Sequence, residues 1–177
     1  MRPAVLEQGP FTLRLPTAED VSWIFHACQD PDIQRFTMVP VPYRPAHAVE
    51  WVTQAATRCE TGVALDLVVA KTETGELLGA ASLKMVDADA QAELGYWVDR
   101  YVRREGVASA AVTALERHAA AELGVRSARL RIAVDNVASR GLAAALGYEL
   151  AGPDEDLCEG LATVSYVKSL AKSLASS

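Results

Sequence analysis

The sequence has few cysteines, few aromatic residues and no long hydrophobic run. Its three cysteines, Cys28, Cys59 and Cys158, lie far apart and form no CxxC pair. The sequence therefore predicts neither a disulfide framework nor a zinc site. No apolar segment approaches the length that spans a bilayer, and the start of the chain lacks the apolar run of a signal peptide. We expect a reduced, cytoplasmic protein without a membrane partner.

Basic residues are also in the minority. The 177-residue chain has a formal net charge of −6, which argues against a general nucleic-acid-binding protein because such proteins are basic. Half of the residues are apolar and about a quarter are charged, as in ordinary globular proteins. We predict a single domain over residues 1–177, with a core from about 11 to 170.

The hydrophobic patterns predict an α/β (α+β) fold with a mixed sheet of about seven strands and about four helices. A Thr17–Asp20 pair resembles a capping box, Gly75 indicates a hairpin, and Gly124 is typical of a helix end. The segment 30–45 holds four prolines and is interpreted as irregular. The predicted strands are 11–15, 64–72, 77–86, 92–99, 127–134, 148–153 and 161–170. The first predicted helix opens at the Thr17–Asp20 pair and runs to about Cys28, and the others are about 46–58, 107–123 and 138–146.

The stretch YVRREGVASA, residues 101–110, leads directly into a predicted helix. The first N–H groups of a helix have no intrahelical partner and lie at the positive end of the dipole, so they bind phosphate oxygens well. Gly106 lets an anion approach the backbone, and Arg103 and Arg104 add cationic donors. The stretch therefore predicts a pyrophosphate site. The alternative is a surface turn whose arginines are merely solvated.

Two familiar phosphate loops are excluded. No Gly-Lys-Ser/Thr follows the stretch, so it is not a Walker A loop, and no GxGxxG is present. RREGVA, residues 103–108, instead resembles the Q/R-x-x-G-x-G/A signature of the GNAT N-acetyltransferases. ELGYWVD (93–99) is similar to that family's fourth strand. DNVASRGLAAALGYELAG (135–152) and LRLPTAEDVSWIFHACQDPDIQRF (13–36) resemble segments of its RimJ/RimL-like branch.

The resemblance implies a GNAT fold and acetyl-CoA as co-substrate, with no metal. The fourth and fifth strands of that fold, ELGYWV and RLRIAV here, would splay to admit CoA, whose pantetheine arm would lie along the backbone of Tyr96, Trp97 and Val98. An N–H at Trp97 or Val98 would then serve as oxyanion donor. The implied cofactor-binding residues are Tyr96, Trp97, Val98, Arg103, Arg104, Glu105, Gly106, Val107, Ala108, Ser109, Asn136 and Ser139.

Glu93 is the candidate general base. Strand alternation puts it on one face with Gly95 and Trp97, and a carboxylate on a central strand would have a raised pKa if it were buried. The alternative is an ion pair between Glu93 and a neighbouring arginine, in which the residue is structural.

The resemblance also bears on the leaving thiolate. Many GNAT enzymes have a tyrosine acid at the position of Ala143, so that acid is missing here. The RimJ/RimL-like branch instead places a serine at Ser139, which we expect to donate a hydrogen bond to the sulfur or to relay a proton. The alternative is helix capping by Asn136 and Ser139, since both residue types cap well. We expect Tyr148 to pack rather than to act as the acid.

The predicted function is transfer of an acetyl group from acetyl-CoA to a primary amine, on a protein N-terminus or a small molecule, by direct attack in a ternary complex. The segment between the first two predicted helices would form part of the acceptor pocket, with Phe36, Met38 and Tyr43 as walls and Arg35 or Arg44 for recognition. Either a monomer or a homodimer fits the sequence. Two alternatives remain open: a non-catalytic CoA-binding module, and an unrelated α/β protein that binds another phosphate ligand.

Overall fold

A computed structural model describes residues 5–86, 90–158 and 160–170. The ends of the predicted domain, residues 1–4 and 171–177, lie outside the described residues. The strands form one sheet in the order β1-β2-β3-β4-β5-β6-β8-β7. They are β1 Leu6–Gln8, β2 Phe11–Arg14, β3 Ala64–Lys71, β4 Leu77–Met85, β5 Gln91–Val98, β6 Ser127–Ala133, β7 Glu149–Cys158 and β8 Leu161–Ser169.

Neighbouring strands are antiparallel except β5 and β6, which are parallel and are joined by a long crossover helix. The described helices are α1 Val21–Ala27, α2 Pro31–Phe36, α3 Pro45–Glu60, α4 Val107–Glu122 and α5 Val137–Ala145. Short 3₁₀ turns at Ala18–Asp20 and Arg100–Val102 precede α1 and the α4 loop. None of the helices in the described ranges is long and apolar enough to cross a membrane.

The mixed sheet and its seven predicted strands are confirmed, and the structure adds β1 and α2. The strand β1 pairs with β2 through a turn at Gly9, whose φ is +58°. The helix α2 begins inside the segment interpreted as irregular. Asp30 caps it by accepting from the N–H groups of Asp32 (2.8 Å) and Ile33 (3.3 Å), and Pro31 occupies its first turn. An Asp-Pro pair is a typical start of a helix. It was not recognised here because the four prolines of the segment also indicate irregular structure.

The main core lies between the sheet and α4. The sequence pattern of α4 predicts an apolar stripe of Val112, Leu115, Ala119 and Leu123, with Glu116 and Arg117 off it. Val112, Leu115 and Ala119 are fully buried, and Leu123 is half-buried. Glu116 was predicted to lie off that stripe, but it is also buried, and its carboxylate accepts from Lys168 Nζ of β8 at 2.7 Å. A second cluster joins α1, α2 and α3 to the other face of the sheet around Ile24, Ile33, Ala48 and Val68. The two faces of β5 therefore meet different helices.

Candidate active site

The parallel strands β5 and β6 pair over only three positions and then separate. Their register runs from Gln91↔Ser127 to Glu93↔Arg129, while β5 continues to Val98 and β6 to Ala133. A cavity of about 1370 Å³ includes the opening and is lined by residues from both strands. The splay that the resemblance predicted is thus present.

The backbone direction of β5 decides which of its residues face this gap. The N–H of Asp99 donates to Leu78 O of β4 at 2.9 Å, so the backbone groups of Asp99 point toward β4 and away from the gap. Because the direction alternates along a strand, Trp97 shares the β4 side, whereas Tyr96 and Val98 present their backbone groups to the gap. The carbonyl of Val98 accepts from Arg103 Nε at 3.4 Å. Of the two predicted oxyanion donors, the N–H of Val98 is the one at the gap.

The N-terminus of α4 opens into the same cavity. Its first helical hydrogen bond runs from Ala110 N to Gly106 O at 2.9 Å, and no side chain caps the helix. The N–H groups of Val107, Ala108 and Ser109 therefore have no hydrogen-bond partner in the described part of the chain. Gly106 has a φ of +81°, and a Cβ there would meet nothing within 4 Å. Space is open in front of these donors, and the left-handed backbone is what requires glycine.

The two arginines of this loop differ in their partners. Arg103 binds the carboxylates of Asp30, which caps α2 (3.1 Å), and of Asp32 in its first turn (2.9 Å). Arg104 is exposed, has a left-handed φ of +70°, and makes no ion pair within the described ranges. Arg104 is therefore the arginine whose guanidinium is available to an anion at the N-terminus of α4. Arg103 instead connects the loop to α2.

The helix α2 is also held at its other end. Arg35 donates to Asp135 in the loop between β6 and α5. Together with the Arg103 pairs, this contact fastens α2 to both loops that border the cavity. Arg35, expected to recognise the acceptor, is thus engaged in an ion pair within the protein.

Glu93 lies where β5 and β6 begin to separate. Its carboxylate accepts from Arg129 Nη2 at 2.5 Å and lies 3.2 Å from Arg131 Nε. The side chain is 21% exposed and lines the cavity. The geometry therefore matches the ion-pair alternative, and the role of Glu93 as a base stays a prediction.

Asn136 and Ser139 open α5 on the β6 side of the gap. The Asn136 side chain caps the helix by accepting from Ser139 N at 3.1 Å, so capping is one of its functions. The Ser139 hydroxyl is 2.6 Å from the hydroxyl of Tyr96, which reaches it from β5. Burial raises the pKa of Tyr96, and the hydrogen bond with Ser139 opposes that shift only in part.

The Tyr96 side chain was missed by the sequence reasoning, which assigned only its backbone. Alternation placed Tyr96 on the face opposite Glu93, and that was the available signal. No local pattern relates a strand residue to the first turn of a helix that follows a later strand, so the contact required the tertiary structure.

The part of the cavity where the sequence predicts the acceptor pocket lies between α3 and the sheet. Tyr43 and Met38 of the preceding loop line it, with Trp51 of α3. Asp66 of β3 and Arg58 of α3 also line it, with Asp66 Oδ2 2.8 Å from Arg58 Nη2. Burial raises the pKa of Asp66 above its ordinary value, and the charge of Arg58 offsets only part of that shift. The predicted wall residues Phe36, Met38 and Tyr43 all line the cavity. Arg44, the other predicted recognition residue, does not appear among its lining residues.

The sequence model of the GNAT acetyltransferase domain matches residues 11–149. No curated protein matches the sequence at a significant level. Solved structures match over most of the chain. An acetyltransferase from Salmonella typhimurium that modifies the N-terminal serine of 50S ribosomal subunit protein L7/L12 is 19% identical and has a TM-score of 0.81, with 94% of this chain and 99% of that chain covered.

Two further structures contain bound CoA compounds. Mycobacterium smegmatis RimJ in complex with CoA-disulfide is 18% identical and has a TM-score of 0.82, with 94% of this chain and 88% of that chain covered. The microcin C7 self-immunity acetyltransferase MccE, in complex with acetyl-CoA and AMP, is 20% identical and has a TM-score of 0.78, with 90% and 92% covered. At these identities the likeness is one of fold.

Proposed function

Because the chain belongs to the GNAT acetyltransferase family, we propose that it transfers the acetyl group of acetyl-CoA to a primary amine. The observation that carries the proposal is the continuity of two features. The gap between β5 and β6 and the uncapped N-terminus of α4 line one cavity. A ligand with a diphosphate and an extended amide-bearing arm requires both.

The donor would be held mainly by backbone groups. The N–H groups of residues 107–109 would bind the pyrophosphate, and Arg104 would add charge to the same place. Glu105 and Gly106 would contribute through the shape of the loop. The backbone of Tyr96 and Val98 would pair with the arm as a further strand would, since β6 has moved away from them. The Asn136 amide N–H₂ would be available to the arm, because only its carbonyl oxygen caps α5.

Acyl transfer then needs an oxyanion donor and a route for the amine proton. We propose that the N–H of Val98 stabilises the oxyanion, because it faces the gap. We propose Glu93 as the acceptor of the amine proton, either directly or through a water molecule. Its two arginine partners hold the carboxylate at the point where the strands diverge, between the donor and acceptor parts of the cavity.

The acceptor is proposed as a primary amine on a protein N-terminus or on a small molecule. The first choice follows the Salmonella relative, whose acceptor is a ribosomal protein. We further propose that the protein acts in the cytoplasm as one catalytic domain, as a monomer or a homodimer.

One observation favours a second candidate, a CoA-binding module without catalysis. The base candidate Glu93 is engaged by Arg129 and Arg131 rather than free in the cavity. Such a protein would retain the donor site and lack turnover. Donor titration alone does not separate the two candidates, whereas an acceptor screen with N-terminal peptides and small amines does.

The first experiment is calorimetric titration of the protein with acetyl-CoA, with CoA and ATP as comparisons. We expect micromolar binding of both CoA compounds and much weaker binding of ATP. Gly106→Glu should abolish acetyl-CoA binding, because it places bulk and negative charge before the helix N–H groups. Gly124→Glu is the matched control, since Gly124 also has a positive φ (+66°) and open space but lies at the other end of α4. Equal binding by both variants would refute the donor site.

A further inference from the structure

The side chain of Tyr96 crosses from β5 to the first turn of α5. Its hydroxyl lies 2.6 Å from Ser139 Oγ, and both residues line the cavity. The contact joins the two sides of the gap at a point where the strands themselves no longer pair. The resemblance assigned Tyr96 only through its backbone, so it did not predict this side-chain contact.

The rest of Ser139 is held in place by its neighbours. Its backbone N–H donates to Asn136 Oδ1 at 3.1 Å. The direction of its single hydroxyl hydrogen is then the remaining variable. A serine that donates to Tyr96 has no hydrogen left for a ligand, whereas a serine that accepts from Tyr96 keeps its hydrogen for one.

The 2.6 Å separation fits a hydrogen bond in either direction, and the acidities of the two hydroxyls favour one of them. A phenol has a pKa of about 10 in model peptides, far below that of an aliphatic alcohol, and the more acidic group is the better donor. Burial raises the pKa of Tyr96 further, so the phenol keeps its proton at neutral pH. This difference in acidity favours Tyr96 as the donor and Ser139 as the acceptor.

We propose that Tyr96 is a positioning residue that donates to Ser139 Oγ and thereby directs the Ser139 hydrogen to the leaving sulfur of acetyl-CoA. The inference rests on the proposed function. The amine nitrogen forms a C–N bond with the acetyl carbonyl carbon, and the C–S bond then breaks. Its electron pair stays on the sulfur, and the Ser139 O–H donates a hydrogen bond to that thiolate. No proton leaves the pair. The thiolate is protonated later by solvent, and the amine proton goes to Glu93 or to water.

Two other positions that could supply a donor do not do so. Ala143 occupies the place of the tyrosine acid found in many GNAT enzymes and has no polar group. Tyr148 is 4% exposed and is not among the residues that line the cavity. Its ring packs near Lys168 and Glu116 beneath α4 instead. Among the described tyrosines of the cavity wall, Tyr43 lies on the acceptor side, and Tyr96 reaches Ser139.

The test is a double-mutant cycle with Tyr96→Phe, Ser139→Ala and the double variant. Tyr96→Phe keeps the ring and removes one hydrogen bond, so kcat should fall about 5- to 10-fold with the KM for acetyl-CoA nearly unchanged. In the Ser139→Ala background the same change should alter kcat by less than about 2-fold, because the group through which Tyr96 acts is gone. Tyr166→Phe is the matched control. It removes another buried phenol, one that accepts from Arg140 Nε at 3.2 Å and does not line the cavity.

A second readout does not depend on turnover. Free CoA carries a thiol, and a hydrogen bond to the thiolate should make its calorimetric affinity rise about 3- to 10-fold between about pH 7 and pH 9.5. Tyr96→Phe and Ser139→Ala should both flatten this rise. Acetyl-CoA, which has no free thiol, should show no rise with any variant.

Three results would overturn the inference. The first is an equal kcat loss from Tyr96→Phe with and without Ser139, and the second is an effect of Tyr96→Phe on KM instead of kcat. The third is a pH dependence of CoA affinity that Tyr96→Phe leaves unchanged. Its failure is distinguishable from failure of the proposed function. A wild-type protein that binds CoA with the expected pH dependence but acetylates no amine would refute turnover and retain the Tyr96–Ser139 role in thiolate binding. A wild-type protein that binds neither CoA compound would refute both.

Discussion

Gly79 of β4 is the position where adding a single methyl group should disturb the site most. A Cβ there would lie 2.4 Å from Trp97 O and 3.2 Å from Val98 Cα, both backbone atoms of β5. Since real contacts of this kind lie beyond about 3 Å, β5 would have to move by at least ~0.6 Å. The displaced residues include Val98, whose N–H is the proposed oxyanion donor.

The cost of Gly79→Ala has two opposing parts. Overpacking against rigid backbone lowers the free energy of unfolding by about 1–3 kcal/mol. Alanine also reduces the entropy of the unfolded chain, which raises the free energy of unfolding by about 0.4–1 kcal/mol. We expect a net loss of about 1–2 kcal/mol, which is a fall in Tm of about 2–8 °C for a domain of this size. Because small misplacements at a reacting centre have large kinetic effects, kcat/KM should fall by more than ~10-fold.

Gly95→Ala is the matched control for this prediction. Gly95 lies in the neighbouring strand β5, and a Cβ there would meet Ser82 Oγ at 3.1 Å, which is a side-chain atom that can rotate away. We expect its Tm to stay within about 2 °C of the wild type. Thermal unfolding by circular dichroism measures both variants. If Gly79→Ala were as stable as Gly95→Ala and equally active, the reasoning from backbone contact would be wrong.

Two further predictions concern charged residues. Arg104→Ala should weaken acetyl-CoA binding about 3- to 10-fold and reduce the salt dependence of that binding. Arg103→Ala should mainly lower the stability of the protein, because Arg103 holds α2. Calorimetry at two salt concentrations, together with melting curves of both variants, tests this, and the reverse pattern of effects would contradict it. Burial alone would raise the pKa of Asp20, but its hydrogen bonds from Arg14 and Thr17 bring it below the ordinary value. The stability it contributes is therefore present above about pH 4 and lost as the pH falls through the lowered pKa, so Asp20→Asn should flatten acid unfolding below about pH 4, and an unchanged acid profile would refute the assignment.

Local signals predicted most of the elements. Thr17 and Asp20 form the capping box, Gly75 turns the β3–β4 hairpin, and Gly124 ends α4. These features depend on residues close in sequence, so a pattern can contain them. The helix α2 was missed because proline marks both helix starts and irregular segments, and only the capping contacts of Asp30 distinguish the two.

The buried Glu116 was misjudged for a different reason. Its position on α4 lies next to the apolar stripe, and a carboxylate there normally reaches solvent. Lys168 comes from β8, at the far end of the chain, and supplies the charge that makes burial tolerable. The apolar pattern of a helix gives no information about an ion-pair partner that comes from another element.

The sequence by itself determined where α4 begins, which family the chain belongs to and where the strand that borders the gap lies, because each depends on a run of consecutive residues. Tertiary structure alone decided the partners of the site's side chains: Arg103 with α2, Glu93 with two arginines of β6, and Tyr96 with Ser139. The physical reason is that hydrogen bonds and ion pairs act over about 3 Å in space. Which residues come that close depends on how the sheet and helices pack, and that is a property of the whole fold.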